Sequence, residues 1–305
     1  MKVLVLGSKG MVGSSVSRKL KKNSSLDIFE STRNETNLFS LTETQKLFND
    51  FQPNVVINAA AKVGGILANN LQRTEFIINN LKININIIES ITKFPETKLI
   101  NLGSSCIYPL GAEVPIAESS LMSGKLEPTN SPYAMAKLTA IEMGDAISKQ
   151  YGHKVLDLMP TNLYGPNDNY SEKESHVIPG LISRMHRAKI ENKDEFEVWG
   201  TGMPLREFLF VDDLSSAIDF TIANDIDPGL YNIGSNEEVT IKSLVKSINN
   251  VIKFQGKIIF DDTKPDGNPR KLLDSSKFTS LGWKPEVSLY DGLKVTYDWY
   301  LKNIV

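Results

Sequence analysis

Short apolar runs alternate with longer segments of helical periodicity through the first half of the chain. The runs are near-continuous, as expected of parallel strands that are covered on both faces. They are Val3–Leu6, Val55–Ile57, Leu99–Leu102 and Val155–Met159, with a weaker run at Asp27–Ser31. The intervening segments predict helices at Met11–Leu20, Leu41–Phe48, Thr74–Thr92 and Ala134–Lys149. This βαβα order predicts an α/β fold with a Rossmann-like, doubly wound parallel sheet.

After about residue 162, turn-rich stretches separate shorter elements. Strands are predicted at Phe208–Val211 and Leu230–Ile233, and both could return to the parallel sheet. Helices are predicted at Val177–Ile190, Asp213–Ala223, Ile241–Val251 and Leu289–Leu301, the last two with Thr240 and Ser288 as N-caps. No stretch has the composition of a linker. We therefore predict a dinucleotide-binding part over residues 1–163, with returning segments near 207–233, and a smaller, interleaved substrate-binding part over 164–305.

Composition and charge exclude several classes of protein. Of 305 residues, 41% are hydrophobic and 23% are charged, as in an ordinary globular protein. The formal charge of −2 gives no general attraction to nucleic acid or to an anionic membrane. No apolar run approaches the roughly 18 residues of a membrane span. The single cysteine, Cys106, cannot form an internal disulfide, so the reducing cytoplasm is the expected compartment.

A glycine-rich turn follows the first predicted strand and opens the first predicted helix. Gly7, Gly10 and Gly13 are spaced three apart. A pyrophosphate binds backbone N–H groups at a helix N-terminus, and a side chain at such a turn would block its approach. At the first strand–helix turn of a βαβ chain, this spacing predicts a dinucleotide site. The alternative is a tight turn with a packing glycine.

Residues near the end of the second predicted strand bear on the choice between NAD and NADP. An NAD site usually has an acidic residue there that binds the ribose diol, and Glu30 could serve that purpose. Arg33 and Lys9 could instead pair with the extra phosphate of NADP. Two cations that can pair with one phosphate are stronger evidence than one acidic residue whose position at the strand end the sequence does not fix. We therefore favour NADP, with NADPH as the reductant. Solvated surface charges are the alternative.

A tyrosine and a lysine lie four residues apart on one predicted helix, at Tyr133 and Lys137. A phenol with a pKa of about 10 is a poor base near neutrality, but a nearby ammonium favours the phenolate. In the reductive direction the phenol donates its proton to a carbonyl oxygen that receives hydride. Ser104 follows a predicted strand, at the edge where open α/β sheets bind ligands, and could polarise that carbonyl. Together with the glycine turn, this set resembles the extended short-chain dehydrogenase/reductase family.

Longer stretches carry a more specific resemblance that runs nearly end to end. They are Ala59-Ala60-Ala61-Lys62-Val63-Gly64-Gly65-Ile66, Gly103-Ser104-Ser105-Cys106-Ile107-Tyr108-Pro109, Pro160-Thr161-Asn162-Leu163-Tyr164-Gly165-Pro166, Ser175-His176-Val177-Ile178-Pro179, Lys264-Pro265-Asp266-Gly267 and Pro269-Arg270-Lys271-Leu272-Leu273-Asp274. These stretches resemble the GDP-L-fucose synthase branch of that family. The resemblance implies NADPH-dependent 3,5-epimerisation and 4-reduction of GDP-4-keto-6-deoxy-mannose to GDP-L-fucose, by a homodimer.

The resemblance also implies an epimerisation pair, Cys106 and His176, beside the reductase set of Ser104, Tyr133 and Lys137. A 4-keto sugar has acidic protons at carbons 3 and 5, and inverting them requires a base on one face and an acid on the other. The thiolate of Cys106 could be the base, provided that the site lowers its pKa. The imidazole of His176 titrates near neutrality and could be the opposing acid. The alternatives are a small buried cysteine and a helix-cap or core histidine.

Family correspondence implies further binding residues. The substrate-binding positions are Arg184, Trp199, Arg206 and Asp266, with surface salt bridges as the alternative for the arginines and core packing as the alternative for Trp199. No cluster of His, Cys or carboxylate residues has metal-ligand spacing, so no metal is expected. The cofactor-binding positions are Gly7, Ser8, Lys9, Gly10, Met11, Val12, Gly13, Arg33, Leu38, Leu102, Gly103, Lys137, Pro160, Asn162, Leu163 and His176.

Three alternatives stay open, of which the first, a dehydratase or a 4-epimerase of the same family, is disfavoured. A dehydratase of the same family carries Asp-Glu after its active-site serine or threonine, where this chain has Ser105-Cys106, and a 4-epimerase would need neither Cys106 nor His176. A reductase of a related GDP-4-keto sugar, such as a heptose or a 3,6-dideoxy sugar, fits the sequence with or without epimerase activity. A nucleotide-sensing protein with an inactive site is disfavoured because Tyr133 and Lys137 are both present.

Overall fold

A parallel sheet of six strands forms the centre of the computed structural model, which describes residues 1–264 and 266–305. With strands numbered in chain order, they are β1 (Lys2–Leu6), β2 (Asp27–Ser31), β3 (Val55–Asn58), β4 (Lys98–Leu102), β5 (Val155–Pro160) and β9 (Gly229–Ile233). The spatial order is β2-β1-β3-β4-β5-β9, and each neighbouring pair is parallel. The order reverses between β1 and β3, which is the kind of position where open α/β sheets bind ligands.

Helices cover both faces of this sheet. They are α1 (Met11–Leu20), α2 (Leu41–Phe51), α3 (Ile66–Leu71), α4 (Arg73–Ile91), α5 (Ser131–Tyr151) and α7 (Val211–Ala223). Successive strand residues point to opposite faces, so each strand contributes to two cores. Val5 and Leu102 pack with α1 and α7, whereas Leu4, Val56 and Leu99 pack with α2, α4 and α5.

Most of the remaining elements form a second apolar core beside the carboxyl edge of the sheet. The strands are β6 (Asn162–Tyr164), β7 (Glu195–Trp199), β8 (Leu205–Phe210), β10 (Glu238–Thr240), β11 (Lys257–Asp261) and β12 (Arg270–Lys271). The helices are α6 (Val177–Ile190), α8 (Ile241–Ile252), α9 (Ser276–Thr279) and α10 (Leu289–Asn303). Strand β8 pairs with β6, β10 and β12, and β7 pairs with β11. Within the described ranges, no helix is both long and apolar enough to cross a membrane.

The structure confirms the predicted α/β order and most predicted elements. All five strands and all four helices of the first half are present, and α3 is an additional short helix. Thr240 and Ser288 each accept a hydrogen bond from a backbone N–H three residues later, so both are N-caps as predicted. Strand β9 joins the parallel sheet beside β5, as predicted for Leu230–Ile233. Pro265 lies outside the described residues.

The prediction that Phe208–Val211 returns to the parallel sheet is wrong. Residues 205–210 form β8 in the smaller sheet, and Val211 already begins α7. Leu209 packs into the core of the parallel sheet, whereas Phe208 and Phe210 pack into the second core. The run is therefore continuously apolar because β8 lies between two cores. Sequence alone could not distinguish this burial from that of a central strand.

Candidate active site

The glycine turn between β1 and α1 leaves a helix N-terminus open. Gly7 has a positive φ of 75°, and a Cβ there would lie 2.8 Å from the Cα of Ala60. A Cβ on Gly13 would lie 2.2 Å from the carbonyl oxygen of Gly7, so both positions require glycine. Gly10 is the N-cap, and no side chain of the described residues caps it. The first N–H groups of α1 therefore stay available for a pyrophosphate, and this turn fits a dinucleotide.

Charged residues beside this turn favour the phosphate of NADP over the bare ribose of NAD. The Glu30 carboxylate lies 2.5 Å from the ammonium of Lys21, at the end of α1, and this partner lowers the pKa of Glu30. Lys9 and Arg33 are both exposed, and neither has an ion-pair partner within 4 Å in the described part of the chain. Glu30 is thus paired with Lys21, whereas Lys9 and Arg33 are free to bind an anion.

The end of β4 carries Ser104 and Cys106 into a tight turn. Gly103 packs so closely on Met159 that an added Cβ would lie 2.0 Å from the Met159 methyl carbon. The backbone N–H of Cys106 donates to Ser104 Oγ at 3.4 Å, at the start of a short 3₁₀ turn over residues 105–107. Ser104 is partly exposed, whereas Cys106 is buried. The strand end therefore presents the hydroxyl and the thiol side by side, as their spacing predicted.

Lys137 fixes α5 against this strand end. Its ammonium donates to the carbonyl oxygen of Leu102 at 2.6 Å and lies 5.8 Å from the centroid of the Tyr133 ring. Burial lowers the pKa of Lys137 to about 8, against the opposing charges of Cys106 and Asp157. Burial also raises the pKa of Tyr133, and a charged Cys106 would raise it further. The phenol is therefore held protonated, the form that donates a proton to a carbonyl.

Cys106 does not have the low pKa that a simple base would need. Burial raises the pKa of its thiol, although Lys271, the Ser104 hydroxyl and Lys137 all act to lower it. Lys271 lies on β12, opposite Arg206 on β8. Burial lowers the pKa of the Lys271 ammonium, and the charge of a Cys106 thiolate opposes that shift. Lys271 lies in one of the stretches that carry the family resemblance, but its proximity to the thiol depends on the pairing of β12 with β8.

His176 is the N-cap residue of α6, but no side-chain capping bond is present there among the described residues. Its imidazole is open to solvent, yet surrounding protein disfavours the charged form and lowers its pKa. The preceding loop is held in place because the N–H of Gly65 donates to the carbonyl of Glu174 at 2.8 Å. His176 is therefore not a core histidine, and it occupies the N-cap position without capping the helix through its side chain.

A contact path leads from that loop to the tyrosine. A Cβ on Gly64, next to Gly65, would lie 3.2 Å from the Phe76 ring. The Phe76 ring lies edge-on to Tyr133, with 6.1 Å between the ring centroids. Phe76 was not predicted, because an aromatic residue on an amphipathic helix is typical of ordinary core packing. It connects the loop that carries His176 to the reductase pair.

The four predicted substrate residues lie on α6 and on the strands and loops of the smaller sheets. Trp199 is 66% exposed, which excludes core packing. Arg184 lies 5.4 Å from the centroid of the Phe196 ring, and burial lowers the pKa of Arg184 and of Arg206. Neither arginine has a carboxylate within 4 Å in the described ranges. Arg206 is partly buried and Arg184 is exposed, and both are cations without an acidic partner in the described ranges, as expected at a site for a diphosphate.

Asp266 is held by the loop that follows Trp199. The backbone N–H of Thr201 donates to one carboxylate oxygen at 3.0 Å, and its hydroxyl donates to the other at 2.6 Å. A Cβ on Gly267 would lie 3.1 Å from an Arg206 nitrogen, so Asp266 and Arg206 are close neighbours. The structure therefore places Trp199, Arg206 and Asp266 near one another.

The other predicted cofactor residues occupy strand ends and the first turn. Ser8 is buried and donates to the carbonyl of Ser31 at 3.2 Å. Asn162 donates from its amide to the carbonyl of Glu207 at 2.8 Å, and the Leu38 carbonyl accepts from Asn86. These contacts hold the backbone in place around the carboxyl edge. The remaining positions there are Met11 and Val12 in α1, Leu102 and Gly103 at the end of β4, and Pro160 and Leu163 in β5 and β6.

Comparisons with known proteins agree with this geometry. Residues 3–234 match the model of the NAD dependent epimerase/dehydratase family. The chain belongs to this family. It is 49% identical over 303 residues to GDP-L-fucose synthase 1 of Arabidopsis thaliana, covering 99% of this chain and 94% of that protein.

Two solved structures match almost the whole chain. A GDP-6-OMe-4-keto-L-xylo-heptose reductase from C. jejuni is 30% identical, with a TM-score of 0.91, and the match covers 99% of this chain and 97% of that one. A GDP-L-fucose synthetase from Naegleria fowleri, solved with NADP bound, is 27% identical, with a TM-score of 0.89 and coverage of 99% and 94%. The predicted family and fold are thereby confirmed. The individual site residues stay predictions.

Proposed function

We propose that this chain is an NADPH-dependent 3,5-epimerase and 4-reductase that converts GDP-4-keto-6-deoxy-mannose to GDP-L-fucose. The proposal is supported by similarity to a plant GDP-L-fucose synthase along nearly the full length of both proteins. The observation that carries it is the convergence of Ser104, Cys106, Tyr133 and Lys137 where β4 meets α5. A hydroxyl, a thiol, a phenol and an ammonium together can both polarise and protonate one ketone.

NADP is the proposed cofactor. The open N-terminus of α1 would bind its pyrophosphate, and Lys9 and Arg33 would bind the extra phosphate. The ion pair between Glu30 and Lys21 supports the choice of NADP over NAD. The similarity to a GDP-L-fucose synthetase solved with NADP bound supports it as well. When bound, the reduced dinucleotide supplies the hydride for carbon 4.

In the reduction, Tyr133 donates its proton to the oxygen at carbon 4. Ser104 donates a hydrogen bond to the same oxygen, which stabilises the negative charge that develops on it. Lys137 keeps a positive charge near the phenol, so that the phenolate left after proton transfer is stabilised. Burial raises the pKa of Tyr133, so the phenol enters the reaction protonated.

In the epimerisation, Cys106 removes protons from carbons 3 and 5, and His176 returns them from the opposite face. Because burial raises the pKa of Cys106, its thiolate forms only with the help of nearby cations, chiefly Lys271. Surrounding protein lowers the pKa of His176, which makes its protonated form a stronger acid. Ser104 and Tyr133 stabilise the enolate oxygen between the two proton transfers.

We assign GDP binding to the smaller, interleaved part of the chain, mainly residues 164–305. Arg184 and Arg206 would pair with the diphosphate, since both are cations without carboxylate partners in the described residues. Trp199 offers an exposed aromatic surface, and Asp266 offers acceptors for guanine or sugar N–H and O–H groups. The dinucleotide would occupy residues 1–163 and the returning segment at β9.

We further propose a homodimer in the cytoplasm. Helices α4 and α5 expose Ile78, Ile85 and Met135, and a surface groove of about 410 Å³ lies between them beside Arg73 and Pro132. Two copies that pack through these helices would cover the apolar side chains. The cytoplasmic assignment is supported by the one cysteine, which is a free thiol in the structure.

The second candidate is a C4-reductase of a related GDP-4-keto sugar, with or without epimerase activity. It is favoured by the TM-score of 0.91 to a heptose reductase. A panel of GDP-4-keto sugars, each incubated with NADPH and analysed by mass spectrometry, distinguishes the two. We expect GDP-4-keto-6-deoxy-mannose to be consumed fastest. Faster consumption of a GDP-heptose would favour the second candidate.

Two variants test the assignment of roles. Tyr133→Phe removes only the phenolic proton donor, and we expect it to reduce NADPH oxidation by about 100-fold or more. Cys106→Ser should first impair proton exchange at carbons 3 and 5, while leaving the reductase groups in place. Full turnover by Tyr133→Phe would contradict the role given to the phenol. Unchanged exchange by Cys106→Ser would contradict the role given to the thiol.

A further inference from the structure

Three polar residues interrupt the apolar face of the parallel sheet beneath the reductase pair. Asn58 lies directly opposite Asn101 on the neighbouring strand, and Asn101 lies opposite Asp157. They follow Val56, Leu99 and Val155 by two residues, so they share the face that packs against α4 and α5. Their exposed fractions are 2%, 2% and 4%. Polar groups this deep in a parallel sheet need partners, since unpaired ones are costly.

Asn58, Asn101 and Asp157 form a buried polar row. Each amide donates a hydrogen bond to the next residue, and the row ends at the Asp157 carboxylate. The Asn58 amide nitrogen is 3.1 Å from Asn101 Oδ1, and the Asn101 amide nitrogen is 2.7 Å from Asp157 Oδ1. Asn58 also donates to Asn84 on α4 at 3.2 Å, and Asn84 donates to the carbonyl of Ala136 at 3.3 Å. The row therefore reaches α5 at the residue directly before Lys137.

The carboxylate at the end of the row faces the helix that carries Lys137. The second Asp157 oxygen faces α5, 3.6 Å from the position of a Cβ on Gly144, two turns after Lys137. Burial raises the pKa of Asp157 to about 7, while the hydrogen bond from Asn101 and the charge of Lys137 oppose that shift. In turn, the charge of Asp157 opposes the lowering of the Lys137 pKa.

Few charged groups surround these two residues. Asp157 is faced by Lys137 and Asp145, both on α5, and by the amide of Asn101 on β4. The other titratable groups near Lys137 are Cys106 and Tyr133. Asp157 is therefore the carboxylate whose charge can balance the Lys137 ammonium, because burial raises the pKa of the Cys106 thiol and so reduces its charged fraction.

We propose that Asp157 is a positioning residue for the reduction, which acts through Lys137. With Asn101, Asn58 and Asn84 it forms a buried polar row that keeps the Lys137 ammonium charged and directed at the Leu102 carbonyl. Lys137 in that state supports proton donation by Tyr133. This inference rests on the proposed reductase function.

The test is the pH profile of kcat for NADPH oxidation with GDP-4-keto-6-deoxy-mannose, in the wild-type protein and in Asp157→Asn. The variant keeps an oxygen for Asn101 but removes the charge, so Lys137 loses its proton at lower pH. We expect the alkaline limb of the profile to move to lower pH by about one unit. The KM for the GDP-sugar should stay within about twofold, because Asp157 does not reach the GDP-binding residues.

Two further variants provide a control for the charge change and a second test of the row. Glu142→Gln makes the same chemical change at an exposed position of α5 that does not face Asp157 or Lys137, and should leave the profile in place. Asn101→Leu removes the hydrogen bond that favours the charged form of Asp157, so it should shift the alkaline limb in the same direction as Asp157→Asn. Asn101→Leu also tests the role of the row if Asp157→Asn does not fold.

The possible failures are distinguishable. A wild-type protein that does not oxidise NADPH with any GDP-4-keto sugar contradicts the proposed function. An active wild-type protein, together with a folded Asp157→Asn or Asn101→Leu whose alkaline limb stays at the wild-type pH, overturns the role of the row. A uniform loss of kcat at every pH has the same meaning, because it is what a purely structural role would give.

Discussion

The Lys137 ammonium donates a 2.6 Å hydrogen bond to the carbonyl oxygen of Leu102, the last residue of β4. One side-chain contact thereby connects the helix that carries Tyr133 to the strand end that carries Ser104. Lys137 is 3% exposed, and the cost of burying its charge is offset by this hydrogen bond and by nearby acidic groups. The contact gives Lys137 two roles, one in the geometry of the site and one in its electrostatics.

Replacing Lys137 should affect catalysis far more than replacing another lysine of the same helix. We expect Lys137→Met to reduce kcat for NADPH oxidation by about 100-fold or more, because the phenolate of Tyr133 then loses its stabilising charge. Lys149→Met is the matched control, since Lys149 is exposed at the end of α5 and pairs with Asp145. Steady-state kinetics on both variants provides the measurement. Equal effects of the two changes would contradict the role of Lys137.

Lys271 should control the acidity of Cys106. In Lys271→Met, the loss of the cation raises the pKa of the thiol further, so proton exchange at carbons 3 and 5 should require higher pH than in the wild-type protein. Arg270→Met is the control, because Arg270 is exposed and pairs with Glu238 at 2.9 Å. Exchange is followed by NMR of the substrate in heavy water. An unchanged pH dependence in Lys271→Met would show that Lys271 does not act on the thiol.

Arg33 should discriminate NADPH from NADH. The loss of a charge-assisted contact to one phosphate corresponds to about 1.5–3 kcal/mol, so Arg33→Ser should raise the KM for NADPH about 10- to 100-fold. The KM for NADH should change little, since NADH lacks that phosphate. Lys22→Ser removes an exposed charge just after α1 and serves as the control. A parallel rise in both Michaelis constants would place Arg33 outside the phosphate site.

In the first turn, Gly13 should be needed for stability, whereas Gly10 should be needed for NADPH binding. An added Cβ at Gly13 would lie 2.2 Å from the carbonyl oxygen of Gly7, so Gly13→Ala should destabilise the fold by about 1–3 kcal/mol. At Gly10 the nearest atom to an added Cβ is 3.4 Å away, so Gly10→Ala should unfold near the wild-type temperature. It should nevertheless weaken NADPH binding, because the new methyl lies where the pyrophosphate approaches. Thermal unfolding and NADPH titration together test both expectations.

The sequence predicted the parallel sheet well because its signals are local. Apolar runs, helical periodicity and the N-cap residues Thr240 and Ser288 depend on neighbours within a few positions. The strand at residues 205–210 was placed in the wrong sheet because two cores bury it, and this burial depends on residues far along the chain. The strands β6, β10 and β12 have only two or three residues each, which is too few for a periodic pattern.

The site residues could be predicted where short family motifs contain them. They could not be predicted where segments far apart in the chain come together. Ser104, Cys106, Tyr133 and Lys137 lie within two short stretches, and the structure brings all four together. Lys271 reaches Cys106 from a strand more than 160 residues away in the chain, and no local spacing reveals that contact.

The polar row did leave a signal in the sequence. Asn58, Asn101 and Asp157 each fall in or directly after an apolar run that was predicted as a strand. One polar residue in one such run has little meaning. The same position on three strands becomes informative only when their register is known, because the residues must lie side by side to bond.

The central claim is that one site both inverts carbons 3 and 5 and reduces carbon 4. The most direct measurement is mass spectrometry and NMR of the product formed from GDP-4-keto-6-deoxy-mannose and NADPH in heavy water. The account predicts GDP-L-fucose with deuterium at both carbon 3 and carbon 5. A reduced product that carries no deuterium at either carbon would contradict it, and would leave Cys106 and His176 without the roles assigned to them.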